Sequence, residues 1–317
     1  MSLPDGIAGP LRLGPHHVEE LNRMFSEAFT ERYHRDGMTG VRVPQLNPAI
    51  WRYAIAAAGE GALHWRDSAG HLVAFNLVHV SGIEGWMGPL AVRPDCQGRG
   101  LGRAVVTTGI HHLEEKGCRV IGLETMPRTV DNIGFYSKLG FRPGYLTISL
   151  SRDVSRSEGA PGEGASDLGD RAEWLPAGKA LVDSLVPGLD FEREIRLTLD
   201  QSLGDLSVVR EGDRWRAFAL WHSAPLAAGR SVEELRVLKL VARDRAAFRA
   251  VVMATIAAAA RRNLSRVGIR CQTAFREAYG DLMALGFRVH WTDLRMVLAD
   301  RPEQPPLGGV VFSNWEI

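Results

Sequence analysis

The feature that most constrains the fold of this chain is an internal repeat. At an offset of 146 residues, the tetrapeptide "RAVV" at 103–106 returns at 249–252, and "LGFR" at 139–142 returns at 285–288. Chance does not readily produce such a collinear series, and the repeat is too long for a solenoid. The sequence therefore predicts two copies of one fold, related by duplication.

A linker near the middle of the chain separates the two copies. The segment 151–170, "SRDVSRSEGAPGEGASDLGD", is rich in Gly, Ser and acidic residues and has almost no large apolar side chains, a composition typical of linkers. A length of 317 residues suits two domains of about 150 residues each. We therefore predict an N-terminal domain over 1–152, a linker over 153–170 and a C-terminal domain over 171–317.

Composition and charge limit the possible functions. The net charge of +1 gives no overall field that favours nucleic acid or an anionic membrane. The three cysteines, Cys96, Cys118 and Cys271, form no CxxC pair, which argues against a disulfide framework or a zinc site and agrees with a reducing compartment. The N-terminus has no apolar core of signal-peptide length, and the longest apolar run is too short to span a bilayer. These patterns predict a cytoplasmic protein without a metal.

Apolar spacing within the first copy predicts alternating elements and an α/β (α+β) fold class with at least one parallel strand pair. The predicted elements are a helix over 17–29, two strands within 61–80 joined by a turn at 67–70, a strand over 85–94, a helix over 101–117, a strand over 118–126, a short helix over 132–140 capped by Asp131, and a strand over 144–152.

The stretch "DCQGRGLGRAVV" at 95–106 carries the clearest chemical signal. Gly98, Gly100 and Gly102 lie between a predicted strand and a predicted helix, where unpaired backbone N–H groups and the helix dipole favour an anion such as pyrophosphate. The P-loop pattern is missing its Gly-Lys-Ser/Thr, since Arg103 follows Gly102, and the glycine spacing departs from the dinucleotide fingerprint GxGxxG. A plain turn before a helix remains the alternative.

Two motifs together resemble a known superfamily. The loop "QGRGLG" at 97–102 has the form Q/R-x-x-G-x-G/A, and "NIGFYSKLGF" follows at 132–141. This combination resembles the acetyl-CoA-binding core of the GNAT superfamily of N-acetyltransferases, strongly over residues 63–150 and more weakly in the second half. The resemblance implies two tandem GNAT-like acyl-CoA N-acyltransferase domains, each a mixed twisted sheet flanked by helices, the second one degenerate.

The resemblance also implies roles for residues at matching positions. Asn132 would help to hold the pantetheine arm of acetyl-CoA, and Tyr136 would donate a proton to the departing thiolate. The remaining cofactor-binding positions would act through their backbone groups: Leu90, Ala91 and Val92 on a strand that splays from its neighbour and holds pantetheine, and Gln97, Gly98, Arg99, Gly100, Leu101, Gly102 and Arg103 around the pyrophosphate.

A general base would free the acceptor amine of its proton. Glu84, at the start of the central strand, is the predicted base, with Glu124 and His79 as further candidates. Plain structural readings stay open: a core aromatic for Tyr136, a helix cap for Asn132, a solvated turn acid for Glu84 and a structural histidine for His79.

The second copy does not keep the motif. At the offset of 146, Gly98, Gly100 and Gly102 correspond to Asp244, Ala246 and Phe248, while Tyr136 and Asn132 correspond to Leu282 and Ala278. Side chains replace hydrogen where phosphate oxygens would lie, and Asp244 has the wrong charge. We therefore expect the second half to bind no acetyl-CoA, to pack on the first half and to help wall the acceptor site.

The predicted function is transfer of an acetyl group from acetyl-CoA to a primary amine by direct attack in a ternary complex. A non-catalytic acyl-CoA-binding or sensing protein is the alternative. The acceptor is predicted to be a small-molecule amine or a protein amine, with no nucleic acid or membrane partner, and the protein a monomer or homodimer. The segment 31–55 mixes Arg, His, Tyr and Trp, which favours a polar or anionic acceptor.

Overall fold

A computed structural model describes residues 3–159 and 163–313. Residues 160–162, at the centre of the predicted linker, lie outside this range, as do the ends of the two predicted domains at 1–2 and 314–317.

The first half contains six strands and four α-helices within the described residues. In chain order they are β1 (Ile7–Arg12), α1 (Val18–Arg35), α2 (Pro48–Ala58), β2 (Ala62–Asp67), β3 (Leu72–Ser81), β4 (Glu84–Val92), α3 (Leu101–Glu115), β5 (Val120–Thr125), α4 (Val130–Ser137) and β6 (Phe141–Asp153).

The second half repeats the pattern and adds a short strand at its end. Its described elements are α5 (Arg171–Leu185), α6 (Glu192–Asp200), β7 (Gly204–Glu211), β8 (Arg214–His222), β9 (Glu234–Ala242), α7 (Arg245–Arg261), β10 (Arg266–Gln272), α8 (Arg276–Ala284), β11 (Arg288–Leu298) and β12 (Val310–Ser313).

The predicted α/β (α+β) class and its parallel strand pair are confirmed, since β4 runs parallel to β5 and β9 runs parallel to β10. The predicted cap of α4 is wrong. The helix begins at Val130 with Thr129 at its N-cap, so Asp131 lies inside its first turn. Thr129 Oγ1 donates instead to Asp36 Oδ2 at 2.6 Å, which ties this helix start to the end of α1.

The two halves do not form separate sheets. Over the described residues the order is β1-β2-β3-β4-β5-β11-β6-β10-β9-β8-β7, with β12 beside β9. The last long strand of each half has changed sides: β11 pairs with β5 of the first half, and β6 pairs with β10 of the second. Because β6 and β11 also pair with each other, the edge that each half would present is covered, which removes an aggregation-prone strand edge.

The register at the centre of the sheet is symmetric. Leu146 faces Leu294, and Ile148 faces Thr292. The offset of 146 converts the first of these pairs into the second, so the duplicated halves meet about a pseudo-twofold axis. Such an interface uses the same surface of each copy and closes without leaving a free face.

Helices cover the sheet and bury aromatic side chains against it. Trp51 of α2 meets Phe25 of α1 and Phe75 of β3 in edge-to-face contacts, with ring centroids 5.3 and 6.0 Å apart. Phe248 of α7 plays a similar part in the second half, in edge contact with Phe312 of β12. Each such buried side chain stabilises the fold by about 1.5–3 kcal/mol. These cores fix the strands that carry the candidate site.

Candidate active site

The two parallel strands of the first half separate where the motif begins. Glu84 to Met87 of β4 pair with Val120 to Leu123 of β5, and the pairing stops there. From Gly88 onward β4 stays with β3 only, after an irregularity in that register opposite Asn76 to Val78. The predicted splay of the strand is therefore present. Main-chain groups beyond Met87 have no partner strand on the β5 side, so they can bond to an extended ligand.

The glycine loop follows directly after β4. Gly98 and Gly100 have φ values of +76° and +87°, in the region that favours glycine. A Cβ added at either position would meet nothing within 4 Å. The conformation and the open space are thus a cradle that side chains would fill. Gly102 is already helical, and its added Cβ would be in ordinary contact with Phe135.

The first turn of α3 is open. Gly100 is its N-cap and supplies no capping side chain, so backbone N–H groups at this end have no partner within the helix. Gln97 anchors the loop instead: its Nε2 donates to Val92 O at 2.9 Å, and its Oε1 accepts from Arg35 at 3.0 Å. Arg99 and Arg103 are exposed beside it. This arrangement can hold an anionic group such as pyrophosphate.

A cavity of ≈ 370 Å³ adjoins the splayed strands. Three predicted site residues line it: Leu90 of β4, and Asn132 and Tyr136 of α4. Ala91 and Val92 are buried in the pairing with β3. The structure therefore brings the proposed pantetheine and proton-donor positions together, with the glycine loop at the end of the same strand.

Tyr136 suits the role of a proton donor. It is buried, and burial raises the pKa of its phenol to about 12. The phenol therefore keeps its proton at neutral pH and remains a hydrogen-bond donor. Asn132 is half-buried, with its Nδ2 3.5 Å from Thr125 Oγ1.

The second half supplies part of the cavity wall. Leu226, Trp291, Asp293 and Arg295 all line the cavity, and the last three alternate along β11, so they share one face of that strand. The second half therefore packs on the first and lines this cavity, and its predicted role as a wall of the acceptor site stays a prediction. No local sequence pattern indicated these residues, because their position depends on the exchange of β11 into the first half.

Glu124 lies on the cavity floor in a buried charge network. Its carboxylate accepts from Thr147 Oγ1 at 2.6 Å and from Arg295 at 2.7 Å, and it also pairs with Arg270. Burial alone would raise the pKa of Glu124, but Arg270 and Arg295 outweigh burial and lower it. A carboxylate held ionised in this way is a good anchor for a cation and a weak base.

Arg295 links this network to the rest of the fold. It is 2% exposed and donates to Glu303 through Nε at 3.0 Å. Its guanidinium lies over the Trp86 ring, 3.9 Å from the centroid. Carboxylates and a stacked ring together compensate a buried cation. Arg295 therefore presents little uncompensated charge to the cavity.

Glu84, the predicted base, is not among the residues that line the cavity. Its Oε2 accepts hydrogen bonds from Trp86 Nε1 at 3.1 Å and from Ser313 Oγ at 2.8 Å. The second contact depends on β12, at the far end of the chain. Burial raises the pKa of Glu84, which suits a base, but the structure does not bring this carboxylate to Tyr136.

We expect Glu84→Gln to retain amine-dependent turnover and to change the pH dependence of stability. The raised pKa of Glu84 means that its contribution to stability is fully present below its ordinary pKa and is lost as pH rises through the folded pKa. Glutamine removes this loss, so the melting temperature of the variant should fall less than that of the parent between pH 5 and pH 8. Thermal melts at both values measure this difference.

Glu124→Gln is the opposite-sign control, because the lowered pKa of Glu124 gives stability that is present above its ordinary pKa and lost as pH falls. Compared with the parent protein, Glu124→Gln should therefore be most destabilised near neutral pH. A fall of about 100-fold or more in the turnover number of a folded Glu84→Gln protein would instead identify Glu84 as the base.

His79, the remaining candidate base, holds the backbone of the splayed strand. Its Nε2 lies 3.0 Å from the carbonyl oxygen of Gly88, and since a carbonyl only accepts, Nε2 carries the proton. Burial lowers the pKa of His79 to about 3. The ring is therefore neutral and too weakly basic to remove a proton from an ammonium group.

The corresponding helix start in the second half is closed by the chain itself. Asp244 is the N-cap of α7, and its Oδ1 accepts from Ala247 N at 2.9 Å. Relative to "RAVV", α7 also begins two residues earlier than α3, so Arg245 and Ala246, the counterparts of Arg99 and Gly100, are helical. Asp244 thus occupies the place where an anion would bind.

A strand fills the second half's groove. The parallel pairing of β9 with β10 covers only Glu234 to Arg236, so these strands splay as β4 and β5 do. Residues 310–313 of β12 pair antiparallel with the outer part of β9. Phe312 of this strand contacts Phe248 and Phe275 at 5.8 and 5.5 Å between ring centroids. The gap that is open in the first half is therefore occupied in the second.

The residues of segment 31–55 that line the cavity differ in character from the segment as a whole. Its lining members are Arg32, Tyr33, Val43, Pro44 and Leu46. Apolar and aromatic groups predominate, and the lone cation among them is paired with Asp36 and Asp131. This wall does not match the polar or anionic acceptor that the composition favoured.

Two kinds of feature are absent from the described residues. None of the helices there has both the length and the apolar character needed to cross a bilayer. The same residues include no group of three or more His, Cys, Asp or Glu side chains placed to hold a metal ion.

Comparison with known proteins agrees with the geometry of the first half. Residues 18–141 match the Acetyltransferase (GNAT) family. The mycothiol acetyltransferase of Nocardia farcinica is 31% identical over 159 residues, which are 47% of this chain and 50% of that protein. Serotonin N-acetyltransferase 2, chloroplastic, of Oryza sativa subsp. japonica is 43% identical over 122 residues, 34% of this chain and 60% of that protein. The chain spans about half the length of the curated relatives it matches.

Solved structures match over almost the whole chain at low identity and so bear on the fold alone. A GCN5-related N-acetyltransferase from Sphaerobacter thermophilus has a TM-score of 0.60 at 14% identity, covering 96% of this chain and 99% of that one. A tandem GNAT protein from the clavulanic acid biosynthesis pathway has a TM-score of 0.59 at 13% identity, covering 94% and 100%. Residues 18–141 are therefore similar to a GNAT acetyltransferase domain, and the chain as a whole shares the fold of these solved structures.

Proposed function

We propose that the protein is an acetyl-CoA-dependent N-acetyltransferase that acetylates a primary amine by direct attack in a ternary complex. The observation that carries this proposal is the meeting of the splayed strand, the glycine loop and Tyr136 around one cavity. Relatives named as mycothiol and serotonin acetyltransferases support the same chemistry.

The first half fits acetyl-CoA as a substrate. The open cradle at Gly98 and Gly100 would take the pyrophosphate on backbone N–H groups at the start of α3. Leu90, Ala91 and Val92 would hold the pantetheine arm through their main chain, in the gap that β5 leaves open. Asn132, on the cavity wall, would add a side-chain contact to the same arm.

The reaction needs three events at the thioester. The neutral amine nitrogen attacks the carbonyl carbon, the C–N bond forms, and backbone N–H donors of β4 stabilise the oxyanion. The C–S bond then breaks, and the phenol of Tyr136 gives its proton to the thiolate. The phenolate recovers a proton from the newly acylated nitrogen, directly or through water, so coenzyme A and the N-acetyl product leave with the proton balance closed.

The acceptor must reach the reaction as a neutral amine. Glu124 is a weak base because Arg270 and Arg295 lower its pKa. The sequence-based choice of Glu84 as base remains a prediction for the Glu84→Gln variant to decide. A route in which water carries the ammonium proton away from the cavity needs no base in van der Waals contact with the amine.

We propose further that the first half, 1–152, is the catalytic domain, that 153–170 is the linker, and that the second half, 171–317, binds no acetyl-CoA. Asp244 caps the helix end that would receive pyrophosphate, and β12 lies in the groove that would receive pantetheine. The second half would then serve the reaction through the wall that β11 contributes.

An amine-dependent thiol-release assay tests the proposed function. Purified protein is mixed with acetyl-CoA and a panel of primary amines, and free coenzyme A is followed with a thiol reagent. We expect release that requires an amine and yields its N-acetyl derivative by mass spectrometry, with one acetyl-CoA bound per chain by calorimetry. Binding without amine-dependent release across the panel would favour the non-catalytic acyl-CoA-binding alternative.

A further inference from the structure

We propose that the acceptor is a primary amine carried on a flat, apolar body without an anionic group, and that Trp291 and Asp293 of the second half select it. This inference rests on the proposed N-acetyltransferase function. In this proposal, residues of the second half determine which acceptor binds in the site of the first half.

Aromatic side chains from both halves of the chain line the cavity. Phe25, Phe29 and Tyr33 follow one another at four-residue spacing on α1, so they form one stripe of that helix. Trp291 packs against the end of this stripe, with its ring centroid 6.1 Å from that of Tyr33. Leu226, also from the second half, lines the same cavity. A continuous aromatic surface favours a flat apolar ligand, because the face that packs against it is removed from water.

The charged groups of the cavity disfavour an anionic acceptor. Both arginines that line it, Arg32 and Arg295, are engaged by carboxylates of the protein. Glu124 and Asp293 also line it. A carboxylate or phosphate on the acceptor would lose its hydration and meet these acids, while both lining arginines are already paired, so its binding would be weakened.

Asp293 is held in place to receive the amine. Trp291 Nε1 donates to its Oδ1 at 3.1 Å, and Arg270 pairs with its Oδ2 at 3.2 Å. The same Arg270 pairs with Glu124, so the two carboxylates stand around one guanidinium. Since each carboxylate oxygen can accept more than one hydrogen bond, this pair can attract an ammonium ion from water and keep the amine near the thioester.

The selecting residues come from the second half because of the strand exchange. Trp291 and Asp293 lie two residues apart on β11, which pairs with β5 next to Glu124. The wall is therefore built by an element whose own half has its groove filled. Substitutions in this wall leave the glycine loop and Tyr136 in place, so acceptor selectivity and acetyl-CoA binding can be measured separately.

Four matched amines test the proposal: phenethylamine, phenylalanine, butylamine and glucosamine. Phenylalanine adds only a carboxylate to phenethylamine, butylamine removes the ring, and glucosamine offers a polar body. We expect kcat/KM for phenethylamine to exceed that for phenylalanine by about 100-fold, the equivalent of one like-charge encounter. Butylamine and glucosamine should also be poorer acceptors than phenethylamine.

Variants of the wall then assign the selectivity. Trp291→Ala should raise KM for phenethylamine by about tenfold, with little change for butylamine and none in acetyl-CoA affinity, while Trp291→Phe should keep the preference. Asp293→Asn should narrow the gap between phenethylamine and phenylalanine. Tyr145→Ala, which removes an exposed aromatic of β6 outside the cavity, is the matched control.

The outcomes separate this proposal from the function on which it rests. Turnover of phenylalanine or glucosamine at the rate of phenethylamine, or an equal loss for all amines in Trp291→Ala, would overturn the acceptor class and leave the acetyltransferase intact. Acetyl-CoA binding without release for any amine would overturn both. If the Trp291→Ala protein fails to fold, the Trp291→Phe variant and the amine panel with the parent protein decide the test.

Discussion

Gly100→Asp should abolish tight acetyl-CoA binding, lowering affinity by about 100-fold or more, an effect near 2.7 kcal/mol. The substitution gives the first half the acidic helix start that Asp244 gives the second. Its carboxylate would lie at the open end of α3, cap the free N–H groups and repel the pyrophosphate. Isothermal calorimetry with acetyl-CoA measures the loss directly.

Gly117→Asp is the matched control. Gly117 lies at the other end of α3, with φ at +74° and open space around its added Cβ, as at Gly100. Both variants introduce similar backbone strain, on the order of 1–3 kcal/mol. The melting temperature of Gly117→Asp should fall at least as far as that of Gly100→Asp, because a carboxylate at the C-terminal end of a helix meets the negative end of its dipole. Acetyl-CoA affinity should fall in Gly100→Asp alone.

The number of acetyl-CoA molecules bound per chain makes the same calorimetry a second test. If Gly100→Asp still binds one acetyl-CoA per chain with the parent affinity, the glycine loop is a plain turn and the cofactor site lies elsewhere. If the parent binds two and the variant one, the second half has a site of its own. Either result would contradict the assignment of a single site to the first half.

The local elements of the fold were predictable from the sequence because they depend on local chemistry. Apolar runs set β2 and β3, and the turn at 67–70 joins them. Helical spacing and Gly117 set the extent of α3. The repeat at an offset of 146 residues indicated two copies of one fold, and the copies differ in the structure where the glycines are lost.

The exchange of β6 and β11 was not predictable in the same way. Both strands follow an identical "LGFR", and apolar alternation does not specify which neighbour a strand pairs with. The positions of Trp291, Asp293 and Arg295 depend on this choice, as they reach the cavity only when β11 lies beside β5. Local pattern therefore indicated the cofactor side of the site and left out the acceptor side.

Glu84 illustrates the same limit for a single residue. Its place at the start of a strand made it a plausible base, and neighbours in sequence gave no reason to expect burial. Ser313, which lies 229 residues away along the chain, donates to it, and Arg295 of the exchanged strand is a second distant influence on its pKa. The environment of a carboxylate depends on such long-range partners, and these follow from topology.

The halves depend on each other for the chemistry as well as for the fold. Arg270 of β10 and Arg295 of β11 keep Glu124 ionised, so a residue of the first half takes its charge state from the second half. Removing one partner from a buried ion network costs about 3–5 kcal/mol. The second half thus keeps its core and these arginines, although its counterparts of Gly98, Gly100 and Gly102 carry side chains.

Tyr136→Phe should lower kcat by about 10²–10⁴-fold while leaving acetyl-CoA affinity unchanged. The phenol is buried on the cavity wall with its pKa raised to about 12, so the parent enzyme holds the proton across the working pH range. Phenylalanine keeps the ring and its packing against Phe141, whose centroid lies 6.1 Å away, and removes only the donor. Steady-state kinetics with a reactive amine and calorimetry with acetyl-CoA measure the two quantities.

Tyr145→Phe is the control, since Tyr145 is 51% exposed on β6 and does not line the cavity. It should match the parent in both assays. Because the pKa of Tyr136 is raised, its phenol is protonated below about pH 12 and the parent rate should show no loss from phenol ionisation up to pH 10. A Tyr136→Phe protein with parent-like kcat would make Tyr136 a core aromatic and leave water as the source of the proton for the thiolate.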